Sequence, residues 1–459
     1  MSRRARQLVI VANRLPARRV AQGRSYAWTT SPGGLVSAMR PVLRRRQGLW
    51  IGWDGSVGRV GRPGEVEGLS IAPISLSRRA VSEYYEGFCN GTLWPLYHDA
   101  IETPAFDRRW WTCYREVNRR FAHAAAVRAR RGAIVWIHDY HLQLVPAMLR
   151  ALRPDVRIGL YIHVPFPPDE LFSWLPWRTA ILEGMLGADL VAFQTPDGAH
   201  NFARAARRYA GAAGLDERLE HGGRRVKVRA MPISVDAASF QSLAQDPAVE
   251  AHASQVRERL AGRTILLAVD RQDYTKGIPQ RLLAFEDLLR AGAASVDDVV
   301  MVQVAVPSRD SSPGYREVQR ETEQIVGRIN GQHSEPGRVA VHYFRRSLST
   351  EELAAYYRAA DIMLVTPLRD GMNLVAKEYV CCRTSGDGVL VLSEFAGAAR
   401  ELKQAILVNP RDLDGMRGAM ARALRMRPAE RRRRMASLRR YVLRHDVFGW
   451  ASEFLRELR

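Results

Sequence analysis

The sequence predicts an α/β protein made of two consecutive Rossmann-like domains. Three observations lead there. Short, near-continuous apolar runs recur along the chain, as strands buried on both faces of a parallel sheet require. Most are separated by helix-length segments, the alternation from which parallel sheets are wound. The alternation pauses once, at Ser234-Val-Asp-Ala-Ala-Ser-Phe240, and then resumes. At 459 residues there is enough chain for two full-sized cores. The expected boundaries are 1–238 for the first domain, 239–440 for the second, and 441–459 for a C-terminal helix crossing back to the first. Ligands of such a protein are expected in the cleft between the domains, outside strand carboxyl ends.

The first strand is Gln7-Leu-Val-Ile-Val-Ala12, ending at Asn13-Arg14. The basic start followed by this run has the look of a leader. Asn13-Arg14 cuts the run short and no small-residue cleavage site follows, so a strand is the reading. A polar loop, 16–32, leads to Ser31-Pro-Gly-Gly34, a turn feeding a helix where Gly33 and Gly34 permit close backbone approach to a phosphate. Leu49-Trp-Ile-Gly-Trp53 and Thr92-Leu-Trp-Pro-Leu-Tyr97 are aromatic-rich, with Tyr84-Tyr85 between them in a helical context. Such rings build cores and also stack against sugars.

Ala133-Ile-Val-Trp-Ile137 ends in His138-Asp-Tyr-His141, and Arg157-Ile-Gly-Leu-Tyr-Ile162 ends in His163-Val-Pro-Phe-Pro167, whose prolines stiffen the loop holding His163. No metal-ligand spacing accompanies these histidines, so no metal is expected. Leu190-Val-Ala-Phe193 and Val226 to Pro232 complete the first set, and Leu243 to Leu260 reads as one polar-rich helix. The second set begins with Thr264-Ile-Leu-Leu-Ala-Val269 and continues through Val299–Ala305, Val339–Phe344, Ile362–Val365, Val389–Leu392 and Ala405–Val408. The tail from Pro428 to Leu458 reads as helical, with Arg431 to Arg434 on a solvated face.

Composition narrows the function. Hydrophobic content of 46% and charged content of 25% are those of a globular protein, and no apolar run is long enough to span a bilayer. Four cysteines without metal spacing fit a reduced, cytoplasmic protein. The net charge of +21 permits anionic ligands, but no nucleic-acid module accompanies it. There is neither a Walker-type loop nor G-x-G-x-x-G, which argues against an ordinary ATPase or a nicotinamide enzyme.

Cations instead gather at strand exits. Arg14, Arg271, Lys276 and Arg309 all follow predicted strands, and a guanidinium with an ammonium five residues on suits a pyrophosphate. Thr366-Pro-Leu-Arg-Asp-Gly-Met-Asn-Leu-Val-Ala-Lys-Glu378 joins a buried strand to a helix, with Asn373 as cap and Asp370 and Glu378 flanking the turn.

These stretches resemble glycosyltransferase family 20, the family of the trehalose-6-phosphate synthases. The resemblance runs over nearly the whole chain. It rests on Val9–Arg14, Trp136-Ile-His-Asp-Tyr-His-Leu142, His163–Pro167, Arg271-Gln-Asp-Tyr-Thr-Lys-Gly277, Arg328-Ile-Asn-Gly331, Thr366–Glu378, Phe395-Ala-Gly-Ala398 and the Phe448-Gly-Trp450 tail. It implies the two-domain GT-B fold and transfer of glucose from UDP-glucose to glucose 6-phosphate, with retention and without a cofactor. Arg14, Trp53, Tyr85, Trp94, Asp139 and Arg309 are the implied acceptor residues. Gly33, Gly34, Arg271, Lys276, Leu348 and the run Asp370, Gly371, Met372, Asn373, Leu374, Val375, Ala376, Lys377, Glu378 are the implied donor contacts. His163 and Asp370 are placed against the transferred glucose, and Asp139, His163, Arg271, Lys276 and Asp370 form the expected reaction centre. In this reading Glu378 accepts from the ribose and no enzymatic nucleophile is needed.

Two departures from the family pattern are Ser234, where glycine is common, and Leu348, where a bulkier residue can back the uracil. A homo-oligomer is the expected assembly. Relatives with another acceptor, such as glucosylglycerol-phosphate synthases or cyclitol-joining pseudo-glycosyltransferases, and non-catalytic members are the rival readings.

Overall fold

The computed structural model describes residues 6–22, 25–30, 34–46, 48–58, 64–309 and 313–458. The chain divides into two compact units: one runs to Ile233 and takes up the chain again from Val447, the other covers Ser234–Asp446. Residues around 238 belong with the second unit, because the helix Ala237–Ala244 packs on Leu374–Cys382, where Cys382 Sγ meets the Phe240 carbonyl at 3.8 Å.

The first unit holds a ten-stranded sheet. Its parallel body runs in the order Arg224–Ala230, Leu190–Phe193, Arg157–Ile162, Ile134–His138, Leu8–Arg14, Leu49–Val57, Leu69–Leu76. From Leu8–Arg14 the chain first builds outward on one side and then returns to build on the other, so order reverses between Leu8–Arg14 and Ile134–His138. Arg14 and Asp139 lie at the carboxyl ends of those two strands. The central runs are apolar throughout because both faces are covered; Leu8 through Ala12 are all buried. Antiparallel strands finish the edges: Gly64–Val66 on one side, Ala213–Leu215 with Arg218–His221 on the other. The expected loop at 16–32 contains a separate antiparallel hairpin, Ala17–Gln22 with Ser25–Thr30.

The helix Val447–Glu457 closes the first unit. Phe454 stacks on Trp136 at 4.1 Å between ring centroids, Trp450 Nε1 donates to the Met231 carbonyl at 3.1 Å, and Lys227 Nζ donates to the Glu457 carbonyl at 2.6 Å. Both rings are buried, each burial contributing about 1.5–3 kcal/mol. The tail is two helices, Pro428–Arg444 and Val447–Glu457. Likewise the single helix expected over 243–260 is two, Ala237–Ala244 and Pro247–Arg259. Pro247 cannot continue a helix, and Asp246 caps the new one.

The second unit carries a fully parallel six-stranded sheet in the order Val341–Phe344, Val299–Val306, Thr264–Arg271, Ile362–Val365, Val389–Ser393, Ile406–Val408. Numbered along the chain, this is 3-2-1-4-5-6, the dinucleotide-fold order. Its reversal lies between Thr264–Arg271 and Ile362–Val365.

Candidate active site

In each unit the expected site residues collect where strand order reverses. In the first unit Arg14 ends its strand with its guanidinium 4.6 Å over the Trp53 ring. The Trp53 ring meets Tyr85 edge-on at 5.4 Å, and Tyr85 stacks on His141 at 6.1 Å. Tyr85 sits on Val81–Leu93, wound as a π-helix rather than an ordinary α-turn. Trp94 is buried behind it against Tyr140 and His98. A cation beside aromatic faces suits a phosphorylated sugar.

Asp139 adopts φ 76° and ψ 169°, a conformation almost confined to glycine and costing about 1–3 kcal/mol. The strain turns its carboxylate back onto the next strand exit, where Oδ1 accepts from the His163 amide at 3.2 Å. The His163 ring is then fixed by its neighbours. The Ile233 amide can only donate, so the Gln194 oxygen must face it, at 3.0 Å. The Gln194 nitrogen therefore faces His163 Nδ1, 3.5 Å away, which must accept. The His163 proton is left on Nε2, from which it is donated to His138 Nδ1 at 3.0 Å. Burial pushes His163 down to about 3 and, with His163 beside it, holds His138 well below the usual histidine range. Both rings are neutral and neither is a poised acid.

In the second unit, two loops are stitched together at the reversal. The amides of Leu368 and Arg369 donate to the Thr275 carbonyl at 2.8 and 3.4 Å. Lys276 Nζ, nearly buried, lies 2.7 Å from Asp370 Oδ2. Asn373, at φ 101°, donates to the same Asp370 oxygen at 3.2 Å. Its own Oδ1 caps the Ala376 amide, also at 3.2 Å. This opens the helix Leu374–Cys382 toward the turn, where its dipole favours an anion.

Arg271, Lys276 and Arg309 surround Asp273. Burial opposes ionisation of Asp273, but the three cations and the hydrogen bond from the Thr275 amide outweigh it and lower its pKa. Its Oδ2 is 3.6 Å from Arg271 and accepts from Tyr315 at 3.3 Å, and Tyr315 also meets Arg309. Arg309, like Asn373, holds a positive φ, 53°. At the far end of the run, Glu378 accepts from Tyr357 at 2.9 Å, and burial pushes its carboxyl up to about 7.

Residues 6–459 match the family model of glycosyltransferase family 20. The chain belongs to glycosyltransferase family 20. It is 52% identical over 464 residues to the trehalose-6-phosphate synthase of Mycolicibacterium gilvum, covering 97% of this chain and 92% of that one. Among solved structures it resembles the α,α-trehalose-phosphate synthase of Burkholderia xenovorans in complex with glucose-6-phosphate, at TM-score 0.91 and 35% identity, covering 98% and 99% of the two chains. It equally resembles the E. coli protein bound with UDP-2-fluoro glucose, at TM-score 0.90 and 33% identity, covering 98% and 99%. These likenesses make the fold GT-B.

Within this glycosyltransferase the expected residues are not equivalent. Gly33 lies outside the described residues, while Gly34 opens the helix Gly34–Arg46. Lys377 turns inward, its ammonium 2.7 Å from Glu401 and its side chain 1% exposed, so only its main chain is left for a ligand. Leu348 immediately precedes Ser349, the cap of Thr350–Ala359, the helix that brings Tyr357 to Glu378. Arg309, in the second unit, lies with Arg271 and Lys276 around Asp273.

Several residues that sequence reasoning did not single out hold the others in place. Asp273 stood inside a quoted motif, and Gln194 and Tyr315 carried no local signal. Arg281 is fully buried and bonded to Asp270 at 2.6 Å, Gln303 at 2.9 Å, Thr366 at 2.9 Å and the Lys276 carbonyl at 3.1 Å. It ties both loops of the reversal to the sheet.

Proposed function

We infer that this chain transfers glucose from UDP-glucose to glucose 6-phosphate, giving α,α-trehalose 6-phosphate and UDP. The observation that carries it is the pair of cationic strand reversals: Arg14 over an aromatic face in one unit, and Arg271, Lys276 and Arg309 around Asp273 in the other. Relatives named for this activity, and solved relatives holding glucose-6-phosphate and a UDP-glucose analogue, support the same reading.

In the reaction the bond from glucose C1 to the diphosphate oxygen breaks and the bond from C1 to the acceptor hydroxyl oxygen forms on the same face. The hydroxyl proton passes to the departing phosphate. Charge grows on that phosphate, and Arg271, Lys276 and the amino end of Leu374–Cys382 stabilise it. Asp370, oriented by Lys276 and Asn373, accepts from glucose hydroxyls, and Glu378 from the ribose. Neutral His163 supports the transferred sugar without supplying a proton. Arg14 and Arg309 hold the acceptor phosphate, with Asp139, Tyr85, Trp53 and Trp94 shaping its sugar pocket.

We place the protein in the cytoplasm, as a homo-oligomer; its four cysteines are buried free thiols, as a reducing compartment allows. The test is an assay of purified protein with UDP-, GDP- and ADP-glucose against glucose 6-phosphate and glycerol 3-phosphate. Trehalose 6-phosphate from UDP-glucose and glucose 6-phosphate is expected. Its absence with every donor refutes the function, and light scattering checks the assembly.

A further inference from the structure

We propose that the motif Trp50-Ile-Gly-Trp-Asp-Gly55 is a seat built for one side chain, Arg14, and that Gly55 is a positioning residue for recognition of the acceptor's phosphate. The proposal rests on the functional reading above, in which Arg14 takes that phosphate. Four members of the motif meet Arg14 from different directions. Trp50 Nε1 donates to its carbonyl at 3.0 Å. Gly52 passes so close beneath that a Cβ would stand 2.8 Å from the Arg14 carbonyl carbon and 2.9 Å from the Leu15 nitrogen. The Trp53 ring lies under the guanidinium. At Gly55 an added Cβ would run into the guanidinium itself, the nearest atoms all being the Arg14 head group.

The local backbone is arranged to keep that slot open. Asp54 Oδ1 accepts from the Ser56 amide at 2.9 Å and its hydroxyl at 2.7 Å, and Trp53 Nε1 donates to the Ser56 carbonyl at 2.6 Å. This tight turn breaks the regular pairing with Leu69–Leu76 and carries Gly55 to φ 93°. Arginine has many rotamers, and a phosphate site needs one of them. The seat selects it before substrate arrives, and the aromatic-rich stretch thereby serves an anion rather than only a sugar face.

The experiment separates this from ordinary backbone strain. Gly55→Ala, Arg14→Ala and the double variant are compared for KM of glucose 6-phosphate, KM of UDP-glucose and melting temperature. Gly55→Ala is expected to raise the glucose 6-phosphate KM at least about tenfold, the scale of losing a charged hydrogen bond, with UDP-glucose KM little changed. Adding Gly55→Ala to Arg14→Ala is expected to leave the already weakened glucose 6-phosphate KM unmoved, because the colliding head group is gone. Equal fold-losses in both backgrounds, or no loss in either, overturn the proposal. If Gly55→Ala does not fold, a folded double variant supports the seat and an unfolded one refutes it. Wild type that makes no trehalose 6-phosphate would instead refute the functional reading.

Discussion

Glu378 gives the most quantitative prediction. Its ordinary value is 4.5, and burial pushes it up to about 7 even though Tyr357 donates to it. Between those values the folded chain holds a proton that the unfolded chain has released. Stability contributed by the protonated form is therefore present below about pH 4.5 and lost as pH rises through about 7. At about 1.4 kcal/mol per pH unit the loss is ~3 kcal/mol by pH 8. Glu378→Gln keeps the shape and cannot ionise. Urea unfolding midpoints of wild type and variant, measured from pH 5 to pH 9, should nearly coincide at the acid end. The variant should then become progressively the more stable. In the same range, wild-type affinity for UDP-glucose should climb as the carboxylate forms to accept from the ribose, and that of the variant should stay weak and flat. A midpoint difference that does not change with pH would refute the reasoning, because the carboxyl would then ionise alike folded and unfolded.

Three further outcomes are expected. Asp270→Ala strands the buried Arg281 guanidinium and should destabilise the second unit by about 3–5 kcal/mol in denaturant titrations, with Arg281→Met in the same chain recovering much of it. Lys276→Met removes a cation from the leaving group and leaves Asp370 held by Asn373, so kcat should fall by about two orders of magnitude in steady-state assays. Arg309→Ala should weaken glucose 6-phosphate more than UDP-glucose in separate binding titrations; equal losses would contradict the acceptor assignment.

Much of this was legible because buried parallel strands write themselves as uninterrupted apolar runs. Leu8–Arg14, Ile134–His138, Thr264–Arg271 and Ile362–Val365 all did so, and the cations just beyond them followed directly. Leu69–Leu76 escaped notice: serines and Pro73 break its apolar run toward the sheet edge, where one face is less covered. The strands Ala17–Gln22 and Ser25–Thr30, which among the described residues pair with each other, are mixed in composition and lack the uninterrupted apolar run of a strand buried on both faces. Side-chain direction was the other hidden quantity. Lys377 stands in a phosphate-site motif yet points at Glu401, and Arg281 looks like a helix-surface arginine while being fully enclosed. Charge in a sequence announces itself; burial of that charge is settled by partners such as Glu401 for Lys377 and Thr366 for Arg281, the latter 85 residues away.

The return of Val447–Glu457 to the first unit has a consequence for how the protein is made. Gly159 leaves room for Phe454, whose ring lies against Trp136, and Trp450 tethers Met231, so this face of the first sheet is finished only by residues translated after the whole second unit. A ribosome adding about 5–20 residues per second needs roughly 10–40 s to make the second unit in between. Throughout that interval the nascent first unit carries an uncovered aromatic face, a natural client for chaperones. Loss of the chain from Val447 onward would therefore injure the first unit, leaving Trp136 and Tyr161 exposed in a chain whose second unit is intact.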